Sequence, residues 1–215
     1  MEAASIHHHP ASGPTPPMTE ERQVTRPWSP ANPAPLGLAA FAMTTFVLSM
    51  FNANLVNEKG TPVVLGLALA YGGVVQILAG MWEFRTGNTF GAVAFSSFGA
   101  FWISFWALEV FYAKSIGGNA GHAVGVYLWA WAIFTAYMTV AALRVSGAVL
   151  LVFVLLTATF ILLAIGATGP HANITHWGGY LGLATAAAAW YASFAVVANS
   201  TFGRDIFPVF PLMRR

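Results

Sequence analysis

The chain has 215 residues, of which 57% are hydrophobic and only 7% are charged, and its net charge is +2. Soluble domains average about 25% charged residues, so this composition indicates an integral membrane protein and excludes a basic nucleic-acid-binding domain. The chain has no cysteine, which excludes a disulfide framework and a thiolate metal site. Its length allows one membrane domain and leaves no room for a separate soluble catalytic domain.

Residues 1–31 are rich in proline and charge and poor in apolar residues, a composition typical of a disordered tail. Residues 32–203 contain six apolar runs, each about as long as the 20 residues that a helix needs to cross a bilayer. The runs cover approximately residues 36–52, 62–82, 90–112, 122–143, 147–168 and 176–198. Proline occurs at their ends only, so we expect uninterrupted helices. The sequence predicts an all-α polytopic membrane protein with six transmembrane helices, followed by a short tail over residues 204–215.

A short polar segment separates the second and third apolar runs. Glu83 and Arg85 supply its charges, Gly87 can adopt the left-handed conformation that ends a helix, and Asn88 or Thr89 can cap the next one. These features predict a helical hairpin within the membrane.

The basic residues are distributed unevenly among the loops. Lys59 and Lys114 lie in odd-numbered loops, whereas the other basic residues lie in the N-terminal tail, the even-numbered loops and the C-terminus. Short cytoplasmic loops accumulate lysine and arginine. We therefore predict a multi-pass protein of the cell membrane with both termini in the cytoplasm.

The acidic and histidine side chains near the spans do not converge in the sequence. All of them lie at or near span ends: Glu58, Glu83, Glu109, His122, His171 and His176. We therefore expect no enzyme activity, no metal site and no cofactor. Glu83 is a candidate proton acceptor, with a loop-capping or ion-pair role as the alternative. His176 is expected to be a cap or interface residue, with a proton relay as the alternative.

One face of the first span mixes bulky and polar side chains. Phe41, Thr45, Leu48 and Asn52 follow one another in steps of four, three and four residues, which places them on the same side of a helix. Such a stripe is typical of a pore lining or of a seam between helices. The candidates for lining a pathway or binding a substrate are Asn32, Thr45, Asn52 and Gln76.

Several separated motifs resemble one known family. Residues 32–38 read NPAPLGL, residues 43–45 read MTT, residues 72–102 read GGVVQILAGMWEFRTGNTFGAVAFSSFGAFW, residues 162–166 read LLAIG and residues 202–204 read FGR. This pattern resembles the acetate uptake transporter family, the succinate-acetate permease-like membrane proteins. The resemblance implies a six-helix protomer, often assembled as a homohexamer, with an acetate-permeable path through each protomer.

The resemblance also implies which residues form a narrow hydrophobic constriction. By their positions in the motifs, these are Phe41, Phe98 and Leu156. Phe98 departs from the family pattern, which has tyrosine there. The lost hydroxyl bears on polar gating and substrate range and leaves the steric role intact.

The leading functional hypothesis is a membrane channel or transporter for small carboxylates, with acetate first and succinate second. The alternative is a channel for a neutral small solute such as urea, ammonia or water, which the lack of basic residues within the spans favours. A third interpretation is an interaction or sensor protein that transports nothing. The expected partners are the substrate, the lipid bilayer and further copies of the chain, without nucleic acid.

Overall fold

The computed structural model describes residues 28–169 and 171–212. Its long helices are α1 (Ala34–Asn52), α2 (Val63–Thr86), α3 (Thr89–Ile116), α4 (Ala120–Ala142), α5 (Gly147–Ala167) and α6 (Ala172–Phe202). All six are long and apolar enough to cross a membrane, which confirms the six predicted spans. The predicted tail at residues 1–31 lies largely outside the described residues.

The helices form one bundle with two distinct ends. The closest neighbours are α1 with α6, α5 with α6, α4 with α5, and α2 with α3. The Ser193 hydroxyl near the end of α6 donates to the Pro35 carbonyl at the start of α1, at 2.7 Å. The starts of α1, α3 and α5 therefore share one end of the bundle with the ends of α2, α4 and α6. We call this end the terminal face and the opposite end the distal face.

Two helices contain a wider π-helical turn, although both run without interruption, as expected. The turns are Ala70–Val75 in α2 and Leu108–Tyr112 in α3. In α2 the turn accompanies close packing, since Gly72 lies so near Thr44 of α1 that an added Cβ would overlap it. Turns of this kind are rare and often occur at functional sites.

The turn between α2 and α3 has the predicted caps. Gly87 adopts the left-handed conformation, with φ 77° and ψ 13°. The side-chain oxygen of Asn88 accepts the Gly91 N–H at 3.2 Å, which satisfies one of the free donors at the start of α3. The Arg85 guanidinium lies 5.7 Å from the ring centre of Trp28.

Small residues allow α6 to approach α1. At Gly179, an added Cβ would overlap the backbone of Ala53, which cannot move aside as a flexible side chain could. Helices in a membrane commonly pack through such small residues.

Residues 203–212, which we call the C-terminal strap, fold back onto the start of α5. The N–H of Gly147 donates to the Phe210 carbonyl at 2.7 Å, and the N–H of Ala148 donates to the Val209 carbonyl at 3.3 Å. The first N–H groups of a helix have no partner within that helix. The strap supplies two of the missing acceptors and closes the terminal face beside α5.

Candidate functional site

An aromatic cluster fills the middle of the bundle, and Phe98 of α3 is its centre. Only 3% of Phe98 is exposed. Its ring contacts rings from three other helices. The distances between ring centres are 5.7 Å to Phe41, 5.4 Å to Phe134, 6.0 Å to Phe153, 6.1 Å to Trp131 and 6.5 Å to Phe160.

A cavity of about 70 Å³ lies on the terminal-face side of this cluster. We call it the terminal cavity. Phe41, Phe98 and Leu156 all line it, so the structure brings together the three residues that the resemblance assigns to a constriction. Its polar lining side chains are those of Gln76 and Asn88. The remaining wall is apolar.

A second cavity of about 260 Å³ lies on the distal-face side, and we call it the distal cavity. Phe101 and Phe160 line it and pack edge to face, with ring centres 5.3 Å apart. Phe160 also stacks against Phe98, which lines the terminal cavity. The two cavities therefore approach each other across an aromatic barrier. The polar residues of the distal cavity are Asn52, Thr61, Glu109, Tyr127 and Thr175.

The predicted stripe of α1 runs from one cavity to the other. Phe41 lines the terminal cavity, and Leu48 and Asn52 line the distal cavity. Thr45 lies between them, buried, and its hydroxyl has no hydrogen-bond partner. The neighbouring Thr44 hydroxyl instead donates to a carbonyl one turn back in its own helix, at 2.9 Å. Thr45 thus carries a buried, unpaired hydroxyl between the α1 residues that line the two cavities.

Gln76 follows directly after the π-helical turn of α2 and borders the terminal cavity. Its side chain is 1% exposed, and its amide oxygen has no hydrogen-bond partner. An unsatisfied buried polar group costs about 1 to 3 kcal/mol. A ligand that offers a proton donor in this cavity would remove that penalty.

Comparison with known proteins places this arrangement in a family. The model of the GPR1/FUN34/yaaH family matches residues 17–214. The chain belongs to this family. The match of the family model confirms the resemblance that the sequence motifs indicate.

Two relatives and one solved structure illustrate the family. The succinate-acetate/proton symporter SatP of Escherichia coli (strain K12) is 40% identical over 181 residues, covering 83% of this chain and 95% of SatP. Ammonia transport outward protein 2 of Saccharomyces cerevisiae is 44% identical over 175 residues, covering 79% of this chain and 62% of the yeast protein. The structure of the bacterial acetate channel SatP has a TM-score of 0.77 and 39% identity, covering 84% of this chain and 99% of that one.

The relatives differ in length. The chain spans between 62% and 66% of the length of three fungal relatives, less than two thirds. SatP and the yeast ammonia transport outward protein 2 are both named for transport.

Asn32 and His176, both candidates from the sequence, line neither cavity of this family member. The Asn32 side-chain oxygen accepts the Ala34 N–H at 3.0 Å, and the residue borders a surface groove between α1 and α6. His176 is partly exposed near the start of α6, next to Thr175 of the distal cavity. Asn32 therefore has a local role at the entry to α1.

Glu83 is buried in the hairpin between α2 and α3, with 1% of its side chain exposed. One carboxylate oxygen accepts the Thr86 hydroxyl at 3.2 Å, and the other has no partner. Within the described ranges, no cationic side chain forms an ion pair with Glu83. Its contacts therefore fit the predicted loop-capping role better than the alternative of an ion pair.

The aromatic residues that complete the barrier were not assigned to it from the sequence. Phe101 lies one turn from Phe98, and Phe153 and Phe160 lie one turn either side of Leu156, a spacing that packing alone also explains. Nor did the sequence indicate a role for Tyr127 of α4, whose hydroxyl donates to the Phe101 carbonyl at 3.1 Å. This contact joins α4 to the barrier.

Proposed function

We propose that this chain forms a membrane channel or transporter for small carboxylates, with acetate as its first substrate and succinate as its second, and that it is not an enzyme. The observation that carries the proposal is the pair of cavities separated by the aromatic barrier around Phe98. The family relation supports the choice of substrate, since relatives are named for acetate and succinate.

The energetics of the barrier favour passage of the neutral acid or of the anion together with a proton. Burying a carboxylate costs several kcal/mol even after the protein relaxes. Protonating the carboxylate of a simple carboxylic acid at pH 7 costs roughly 3 to 4 kcal/mol. The unpaired amide oxygen of Gln76 can accept the O–H of the acid in the terminal cavity, and the unpaired Thr45 hydroxyl offers a donor further along the stripe of α1.

We also propose that the protein lies in the plasma membrane as a homohexamer, with the terminal face toward the cytoplasm. The excess of basic residues in the tails and even-numbered loops supports this orientation. Helix α4 presents an exposed apolar stripe formed by Val126, Ile133 and Val140, each about two thirds exposed. Such a stripe suits lipid or a neighbouring protomer.

A channel for a neutral small solute is the second candidate function. Among the described residues, none of those that line the terminal cavity is charged, which suits an uncharged solute such as ammonia, urea or water. The yeast relative named for ammonia transport also favours it.

Proteoliposomes distinguish these functions. We expect saturable uptake of radiolabelled acetate that butyrate inhibits only weakly and that rises as the pH falls. Dissipating the pH gradient then distinguishes proton coupling from passage of the neutral acid. Permeation of urea or ammonia without acetate uptake would support the second candidate. A folded protein that moves none of these solutes would instead be an interaction or sensor protein.

A further inference from the structure

We propose that Glu109 acts as a charge filter in the distal cavity and favours monocarboxylates over dicarboxylates. This inference rests on the proposed carboxylate pathway. It concerns which anions reach the barrier from the distal face, a step that the constriction residues do not control.

The position of Glu109 follows from the π-helical turn in α3. Phe101, Phe105 and Leu108 follow one another in steps of four and three residues and line the distal cavity. A π-helical turn has a wider repeat than an α-helix. Within the turn Leu108–Tyr112, Glu109 also borders the cavity, directly after Leu108. The turn therefore adds a carboxylate to the part of the wall that α3 supplies, whose other side chains are aromatic or aliphatic.

Glu109 is the only charged residue among the described residues that line either cavity. The polar groups that border the distal cavity from the other elements are all neutral: Asn52 on α1, Thr61 before α2, Tyr127 on α4 and Thr175 on α6. Over the described ranges, no ion pair neutralises Glu109. The exposed Lys114 lies further along α3 and does not line the cavity. Glu109 is itself exposed, so an anion in this cavity meets a hydrated negative charge that no cation of the described residues pairs with.

The size of the distal cavity cannot provide the same selection of monocarboxylates over dicarboxylates. A volume of about 260 Å³ holds several water molecules, each of which occupies about 30 Å³ in the liquid. A four-carbon dicarboxylate is not excluded by bulk at this point. Repulsion scales with the charge of the substrate, so a dianion is disfavoured twice as strongly, in free energy, as a monoanion.

The size of the effect follows from Coulomb's law for a partly hydrated site. With about 8 Å between the charges and an effective dielectric constant of roughly 40 to 80, occupancy falls roughly 2- to 5-fold for a monoanion. The corresponding decrease for a dianion is roughly 5- to 25-fold. Neutralising Glu109 should therefore raise the succinate-to-acetate uptake ratio roughly 2- to 5-fold.

The test compares Glu109→Gln with the wild type in proteoliposomes, using initial uptake of radiolabelled acetate and succinate at sub-saturating concentrations. Salt screens such an interaction, because the Debye length falls from about 10 Å at 0.1 M to about 3 Å at 1 M. We expect the ratio to rise at 0.1 M salt and to return toward the wild-type value at 1 M. Glu109→Asp, which keeps the charge, should behave like the wild type.

Asp205→Asn is the matched control, because Asp205 is an exposed carboxylate of the C-terminal strap that lines neither cavity. An unchanged ratio in Glu109→Gln would overturn the inference. So would an equal change in Asp205→Asn, or a change that persists at 1 M salt. A wild type that takes up no acetate would instead refute the proposed function.

Discussion

The rings of Phe98 and Phe160 lie nearly parallel, with 8° between their planes and 6.5 Å between their centres. Phe98 borders the terminal cavity and Phe160 borders the distal cavity. At this point the barrier is therefore a single pair of stacked rings. Changes to the few side chains around this pair should alter what crosses the protein.

The first prediction concerns the effect of shortening two side chains of the constriction. Phe41→Ala and Leu156→Ala should raise acetate uptake and increase the proportion of succinate that crosses, because each removes a wall of the terminal cavity. In a fully packed core, such changes typically cost 2 to 5 kcal/mol and reduce folded protein. Beside an existing cavity the cost should be smaller. Uptake per folded oligomer, for both substrates, checks this.

Met138→Ala is the control for the constriction variants. Met138 is buried but lines neither cavity, so this change should lower stability without altering the acetate-to-succinate ratio. Loss of folded oligomer with an unchanged ratio in Phe41→Ala and Leu156→Ala would show that these residues are core residues only.

Phe98→Tyr adds a hydroxyl with little change in volume. At the wall of the terminal cavity this hydroxyl can be hydrated and can hydrogen-bond a carboxyl group, so we expect unchanged thermal stability and an altered acetate-to-succinate ratio. In a dry core an unpaired hydroxyl costs about 1 to 3 kcal/mol. Phe46→Tyr, at a ring that packs on Trp190 outside both cavities, should leave uptake unchanged. A lower melting temperature with normal uptake would contradict a gating role for Phe98.

Gln76→Leu removes the unpaired amide of the terminal cavity. Because the amide oxygen bonds nothing in the protein, stability should stay constant or rise by about 1 kcal/mol, while the KM for acetate increases. The control is Thr135→Val, since the buried Thr135 hydroxyl donates to the Trp131 carbonyl at 2.7 Å. That variant should lose about 1 kcal/mol and keep its KM. A destabilised Gln76→Leu protein with normal KM would assign Gln76 a structural role.

The orientation can be tested with single cysteines, since the chain has none of its own. Ser12→Cys and Lys114→Cys should react with a membrane-impermeant maleimide from opposite sides of the membrane. Lys59→Cys should react from the same side as Lys114→Cys, because Lys59 lies in the connection between α1 and α2 and Lys114 in the last turn of α3, both at the distal face. Labelling of positions 12 and 114 from one side would contradict the proposed topology.

The spans were predictable because the length of an apolar run reflects the thickness of the bilayer core. The helix ends were less predictable, because α3 continues to Ile116 and α6 begins at Ala172, both beyond the apolar runs. Backbone hydrogen bonding continues outside the hydrocarbon layer, so composition does not mark where it stops. The π-helical turn at Gly72 could not be predicted either, since it accompanies close packing on Thr44, a residue of another helix.

The candidate site was predictable only in part. Periodicity identified the face of α1 that carries Phe41 and Asn52, because neighbours on a helix follow from spacing alone. The grouping of Phe98 and Leu156 with Phe41 came from the family resemblance, since spacing within one helix does not tell which helix it will face. The sequence also did not reveal that the side-chain oxygen of Asn32 accepts the N–H of Ala34, two residues further along the chain.

The C-terminal strap has a consequence for the order in which the protein is built. The acceptors for the Gly147 and Ala148 N–H groups come from Val209 and Phe210, which the ribosome adds only after the whole of α6. Val145, which lines the terminal cavity, lies immediately before this contact, and its carbonyl accepts the N–H of Leu212 at 3.4 Å. The terminal-cavity wall beside Val145 therefore acquires these contacts only after all six of the described long helices have been translated.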